Sequence, residues 1–396
     1  MPCLPVRRLK LREENNVKKA GIVTFHNADN YGAVLQCFAM QEYLKNSGNT
    51  AEIIDYMPCY FKRKYRAYTP FLDTYKQYKL LGKNKVFLRT LKAYCTNVKI
   101  YGKYKKSSAF EKFRRKYFNL TKRFENFSEF AEICSDFDVI SVGSDQVWSK
   151  RITGGKYDPV FFLKGIDDKI VKISYAASCG GIFEEKDYDE VSKMLKDFNC
   201  LAARENDLAQ QVSDITGKNC EHVVDPVFLL TKEQWLDKFG NNKFAGKKYI
   251  FAYNVSSEAT TEEYFRRVDE LASKYGYEIY EVGKKKRTKG KGKLFHYAGP
   301  EEFVQLIAGA ELVFTTSFHA TALSVIFKKQ FYVFLPNNSN RIISLLNRLD
   351  IPERLVYPGG DISCKEIEYD RVSILTDEMI SSSEEYLINS INTDKN

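Results

Sequence analysis

The run Thr315-Thr316-Ser317-Phe318-His319-Ala320 offers three hydroxyls and then a histidine, where an apolar strand pattern gives way to a helical one. Hydroxyls and the free amides of a helix N-terminus hold phosphate, and an imidazole titrating near neutral pH trades a proton. A lone histidine can equally be a packed structural residue. Three more loops carry small or polar residues directly after an apolar run. In His26-Asn27-Ala28-Asp29-Asn30-Tyr31-Gly32, the glycine lets a ligand approach a helix N-terminus, or an Asn or Asp simply caps that helix. Gly143-Ser144-Asp145-Gln146-Val147-Trp148 sets three polar side chains before a tryptophan. That combination suits a sugar, or is a turn with a packed indole. In Ala203-Arg204-Glu205-Asn206-Asp207, the guanidinium can fork onto a carboxylate or phosphate, or pair with Glu205 or Asp207.

The elements that must position these loops alternate between strand and helix, which predicts an α/β fold. Strands are expected at Gly21–Phe25, Ala51–Asp55, Asp138–Val142, Val171–Tyr175, Leu201–Ala203 and His222–Val224, with helices at about 32–46, 185–198 and 205–216. After a helical connector at 231–246, a second series follows. Its strands are Tyr249–Asn254, Glu278–Val282, Leu312–Thr315 and Phe331–Leu335; its helices are 258–275, 300–308, 320–327 and 341–349. An amphipathic helix is expected over 374–391. Two such series predict two Rossmann-like domains facing a cleft in a GT-B-like arrangement, with ligands at the C-terminal ends of the strands. The boundaries read as 1–235 for the acceptor-side domain, 236–365 for the donor-side domain, and 366–396 for a C-terminal helix and tail.

The 396 residues exceed what one core usually serves, in keeping with two domains. No apolar run approaches the roughly 20 residues of a membrane helix. Residues 1–16 carry four basic side chains and no apolar segment behind them, so no secretory signal is expected and the chain reads as cytoplasmic. The nine cysteines include no CxxC pair and read as free thiols; no metal-ligand cluster is expected. Charge is unevenly placed. Residues 60–124 hold 20 Lys or Arg against 2 acids, a net of +18 within a chain of +10, which leaves −8 elsewhere. The same segment contains 16 aromatic residues and interrupts the first series as a helical insertion.

Taken in order, Asn30-Tyr31-Gly32-Ala33, Gly143-Ser144-Asp145-Gln146, Ser174-Tyr175-Ala176-Ala177-Ser178, Arg204-Glu205, Val224-Asp225-Pro226, Ser317-Phe318-His319 and Arg341 with Leu345-Leu346 resemble the polysaccharide pyruvyl transferase family. The resemblance covers about residues 21–354 apart from the insertion. It implies phosphoenolpyruvate as donor substrate, no cofactor, and as acceptor a hydroxyl pair on galactose or a related hexose of a polysaccharide precursor. Arg204 then matches the family arginine that contacts the donor, and His319 its essential histidine. Thr316, Ser317, Phe318 and Arg341 complete the donor-binding set implied, and Asn30, Tyr31, Gly32, Ser144, Asp145 and Gln146 the acceptor set. The chain departs from the family in one place. Many members have Arg-Leu-His where this chain has Ser317-Phe318-His319, so hydroxyls with helix amides, or Arg341, must replace an arginine. An ordinary GT-B glycosyltransferase using a nucleotide sugar is the competing enzyme, and a non-catalytic basic binding module the competing class.

The basic-aromatic segment itself allows nucleic acid, anionic lipid or a solvated helical face. The resemblance favours lipid at the inner face of the membrane and no nucleic acid, because such precursors are often built on a lipid diphosphate. Lys284–Lys293 forms a second basic loop that could cover the cleft or remain a plain surface loop.

Overall fold

A computed structural model describes residues 17–58, 60, 75, 79, 86–91, 101–240, 243–255, 261–283, 292–335, 340–363 and 365–393. Most of the basic-aromatic stretch before residue 101, the basic loop over 284–291 and the N-terminal 1–16 lie outside these residues.

The first series folds into one parallel sheet with strand order β2-β1-β3-β4-β5-β6. Its strands are β1 (Lys19–Val23), β2 (Thr50–Ile53), β3 (Val139–Asp145), β4 (Val171–Ala177), β5 (Leu201–Ala203) and β6 (Cys220–His222). Strands β3 and β4 are buried almost throughout, so even their polar members Ser141, Lys172 and Ser174 are covered. The second series gives β7 (Tyr249–Tyr253), β8 (Glu278–Val282), β9 (Lys293–Leu294), β10 (Leu312–Thr315), β11 (Gln330–Phe334) and β12 (Leu355–Val356), ordered β12-β11-β10-β7-β8-β9. Both sheets reverse direction once, between β1 and β3 and between β7 and β10. In sheets of this kind the loops at such switch points border the place where ligands bind, beyond the C-terminal ends of the strands. The α/β, two-sheet architecture is the one the alternation predicts.

Several boundaries differ from expectation for local reasons. Strand β6 begins two residues early and stops before Val224, whose amide is taken by Ser383 Oγ at 3.0 Å. The expected helix 185–198 is shorter, Tyr188–Leu195, because 185–187 form a 3₁₀ turn and Phe198 turns inward. The two-residue strands β9 and β12 carry no apolar alternation and were not anticipated.

Helix α1 (Tyr31–Asn46) is buried without a break from Tyr31 to Leu44. It therefore has no solvent face, as expected of a helix packed on all sides. Helix α2 (Tyr101–Tyr117), the last part of the insertion, covers it with Phe110, Phe113 and Tyr117. From the connector, α3 (Lys232–Phe239) adds Trp235 and Phe239 against Phe38. The insertion is tied down at both ends. Tyr60 donates to Asp158 Oδ2, and Leu120 and Phe124 bridge in parallel to Ile53 and Tyr56. Helix α2 also spans the two sheets' halves: Arg114 pairs with Asp29 at 3.0 Å, and Lys116 with Glu301 at 2.9 Å.

The C-terminal helix α4 (Tyr369–Ile391) crosses between halves as well. Tyr369 OH donates to Ser324 O at 3.3 Å on the second half, and Tyr386 OH to Ser174 O at 2.8 Å on the first. Among the described residues no helix is long and apolar enough to cross a membrane.

One contact between halves should respond to pH. His222, at the end of β6, has its ring 3.3 Å from the Arg348 guanidinium. Burial, then the arginine's charge, push its pKa down from 6.5 to about 4. Between those values an unfolded chain takes up a proton that the folded one refuses. The contribution to stability is therefore present above about pH 6.5 and lost as pH falls toward 4. Denaturant unfolding at pH 7 and pH 5 should show a larger drop for the unsubstituted protein than for His222→Asn; equal drops would remove His222 from the pH response.

Candidate active site

The crevice is built from strand ends that the sequence keeps far apart. Strand β5 delivers Arg204 and Glu205, and β6 delivers Asp225. From the other half, β10 leads through Ser317 into α5 (Phe318–Ile326), whose first turn carries His319. Arg341 lies in the first turn of α6 (Asn340–Arg348).

Arg204 is buried and ion-paired twice: its Nη1 lies 3.1 Å from Asp225 Oδ2, and its Nε 3.3 Å from Glu205 Oε1. Its Nη2 has no partner, nor has Glu205 Oε2. A buried donor left open is uncommon and asks for a reason. The Arg204 guanidinium also lies 5.5 Å over the Phe318 ring, a cation–π contact from the opposite half. Arg341 Nε is 4.0 Å from the same Glu205 oxygen. Burial, then repulsion from Arg204, pull its pKa below the usual guanidinium value. Two arginines thus converge on one carboxylate that cannot fully neutralise both.

Asp225 is the deepest acid of the group. Burial alone would push its carboxyl pKa up, but His319 and Arg204 reverse this and hold it well below the usual carboxylate range. His319 Nε2 stands 3.4 Å from Asp225 Oδ2, inside ion-pair reach but without the alignment of a full hydrogen bond. The other edge of the ring rests on Gly32. A Cβ at position 32 would sit 2.0 Å from His319 Nδ1. Glycine is required there by this close approach.

The remaining expected residues separate into those in the crevice and those beneath it. Asp145 sits at the end of β3 with a left-handed φ of 83° and accepts from Gln146 N at 2.8 Å; its charge is felt by both arginines. Such a strained non-glycine backbone is held only where its surroundings demand it. Gln146 is half-buried beside Gly180 and Arg151. Ser144 is buried and donates to Asp225 Oδ2 at 2.8 Å, so it supports the acid from below. Asn30 is exposed and caps α1 by accepting from Ala33 N at 3.3 Å. Tyr31 is buried between the halves: its ring stacks on Phe303 at 4.1 Å and its hydroxyl donates to Ala298 O at 2.7 Å. Thr316 donates to Asn254 Oδ1 and accepts from Val255 N, which pins its loop to the end of β7. Ser317 caps α5 by accepting from Ala320 N. Trp148 is not an aromatic platform. It is buried and donates to Phe161 O at 3.0 Å, the packed-indole alternative.

Sequence reasoning missed the roles of Asp225 and Glu205. An Asp-Pro pair after a strand reads as a turn, and Asp225 does cap one, accepting from Val227 N at 3.2 Å. Its second oxygen faces the crevice, and no local pattern reveals that. Ser178, donating to Glu205 Oε1 at 3.0 Å, was equally invisible outside the family resemblance.

The tight seat of His319 yields a prediction. Gly32 has helical geometry, where alanine is otherwise the better helix former. Gly32→Ala should nevertheless cost about 1–3 kcal/mol of stability through overpacking and displace the imidazole, lowering turnover about 10²-fold. Steady-state rates beside thermal melts check this; wild-type turnover would show that the ring is not needed where it lies.

Comparison with known proteins gives the following. Similar solved structures include the UDP-GlcNAc 2-epimerase of Methanocaldococcus jannaschii, with 13% identity, 92% of this chain and 93% of that one covered, and a TM-score of 0.42. The S. aureus MnaA–UDP structure gives 11% identity, 95% and 92% coverage and 0.47. The E. coli heptosyltransferase WaaC with ADP gives 10% identity, 91% and 99% coverage and 0.41. No curated protein matches the sequence. The family model described as polysaccharide pyruvyl transferase matches residues 30–338, a span that runs from the α1 N-cap past both switch points and His319. The chain belongs to the polysaccharide pyruvyl transferase family.

Proposed function

We propose that this protein transfers the pyruvyl group of phosphoenolpyruvate to two hydroxyls of a sugar, forming a cyclic ketal and releasing phosphate. The observation that carries the reading is the convergence of Arg204, Arg341 and His319, from both halves of the molecule, on one crevice. The donor needs cations for a carboxylate and a phosphate, and an acid/base for its methylene carbon. The open Nη2 of Arg204 and the under-neutralised Arg341 are offered to the anionic groups. Arg341 thereby replaces the arginine that Ser317 displaces. His319 handles protons.

Protonation of the methylene carbon makes the neighbouring carbon electrophilic. One sugar hydroxyl adds there, the carbon–oxygen bond to phosphate breaks, and the second hydroxyl closes the ring. The two hydroxyl protons end on the new methyl group and on phosphate, so the reaction balances with no other reactant. On the acceptor side, Asp145 and Gln146 are the groups within the crevice that can meet hydroxyls; Asn30, Tyr31, Gly32 and Ser144 shape it from behind. The acceptor is a galactose or related hexose, carried on a lipid diphosphate at the cytoplasmic face of the membrane.

Incubation with phosphoenolpyruvate and lipid-linked or soluble galactosides, read by mass spectrometry, should show a pyruvate ketal. Product from a nucleotide sugar instead would overturn the reading. His319→Ala should lower turnover by roughly 10²–10⁴-fold. Arg204→Lys and Arg341→Lys keep the charge but lose the planar fork, so each should weaken donor binding about tenfold. Unchanged affinity in both would remove the arginines from the donor site.

The insertion's net charge of +18 supports a second part of the proposal, docking on an anionic leaflet. Each engaged basic residue adds about 1 kcal/mol, screened by salt. Co-sedimentation should need anionic vesicles and weaken with salt; equal recovery on neutral vesicles would overturn it.

A further inference from the structure

The proposed reaction leaves one member of the cluster without a task. Asp225 divides its two oxygens. Oδ1 accepts from Val227 N and locks the carboxylate's rotamer. Oδ2 then faces three groups at once: Ser144 Oγ at 2.8 Å, Arg204 Nη1 at 3.1 Å and His319 Nε2 at 3.4 Å. Ser144 and Arg204 come from Asp225's own half and would suffice to neutralise and solvate a buried carboxylate. His319 comes from the other half. Gly32 packs against its Nδ1 edge, while Nε2 is buried and stands toward Asp225.

Resting on the transferase reading, we propose that Asp225 is a positioning residue for His319, fixing the ring's orientation and the nitrogen that bears its proton. The neutral ring then carries its hydrogen on Nε2, toward Asp225. Its Nδ1 lies beside Gly32 in the first turn of α1. The charged groups around the ring pull in opposite directions. Arg204 from the β5 loop, Arg341 from α6 and the positive N-terminal ends of α1 and α5 oppose an imidazolium. Asp225, Glu205 and Asp145 favour it. Of the acids, Asp225 alone lies within ion-pair distance of the ring among the described residues. Asp225 is therefore the one acid among them placed to orient the ring.

Histidine-labelled NMR reads this directly, because the chain has only His26, His222, His296 and His319 and the last is assigned by its loss in His319→Ala. In the unsubstituted protein at high pH, ¹⁵N shifts should show the proton on Nε2; a proton on Nδ1 overturns the proposal without any variant. In Asp225→Asn, the ¹⁵N shifts should show the preference for Nε2 lost, and turnover at saturating donor should fall about 10–100-fold. Added to His319→Ala, Asp225→Asn should change donor affinity through Arg204 but leave turnover at saturating phosphoenolpyruvate no lower. An unmoved tautomer, or turnover losses that multiply, would make Asp225 a structural ion-pair residue only. The NMR arms need no substrate. A protein that makes no ketal while His319 still follows Asp225 overturns the reaction and not the positioning.

Discussion

The arrangement depends on how closely the N-terminal end of α1 approaches the first turn of α5. No carbon fits between Gly32 and the His319 imidazole. Because α1 is buried from Tyr31 to Leu44, it cannot retreat without disturbing the core of the first half. The Tyr31–Phe303 stack and the Tyr31–Ala298 hydrogen bond hold the same point from a second side. Close packing thus replaces adjustable side-chain contacts as the means of fixing the imidazole. What adjusts is on the far side of the ring, where charges meet.

Those charges are arranged to be incompletely satisfied. Two arginines and a histidine face Asp225, Glu205 and Asp145, and Arg204 keeps a buried nitrogen without a partner. A fully paired network would be more stable and less receptive to an anion. Conversely, arginines without acids would repel each other when the crevice is bare. Glu205, shared by Arg204 and Arg341, lets both cations coexist at short range while leaving each able to accept a better partner.

Much of this could be read from the chain, because parallel strands buried on both faces announce themselves as apolar runs, and the residues after them as polar loops. Arg204, Arg341 and His319 were visible as residue types at strand-to-helix junctions. Their convergence was not, since it depends on how the halves face each other. The sequence was also silent on burial. Asn30, Tyr31, Ser144, Thr316 and Ser317 read alike as polar groups at strand ends, yet they cap helices or sit under the crevice with their hydrogen bonds already made. Trp148 shows the same limit: an indole beside polar residues looks like a sugar platform until its ring is found in the core. The two-residue strands β9 and β12 are too short for any periodicity to exist.

The C-terminal helix gives the chain an unusual order of completion. Tyr386 bonds to Ser174 in β4 and Ser383 to Val224 just past the edge strand β6, while Tyr369 holds the other end of the helix on the second half. The first half therefore stays uncovered on one flank until the helix at Tyr369–Ile391 has been made. The second half, threaded between the two, is finished earlier than the one it follows. An interrupted message would yield a protein with both sheets written and the first still open to water.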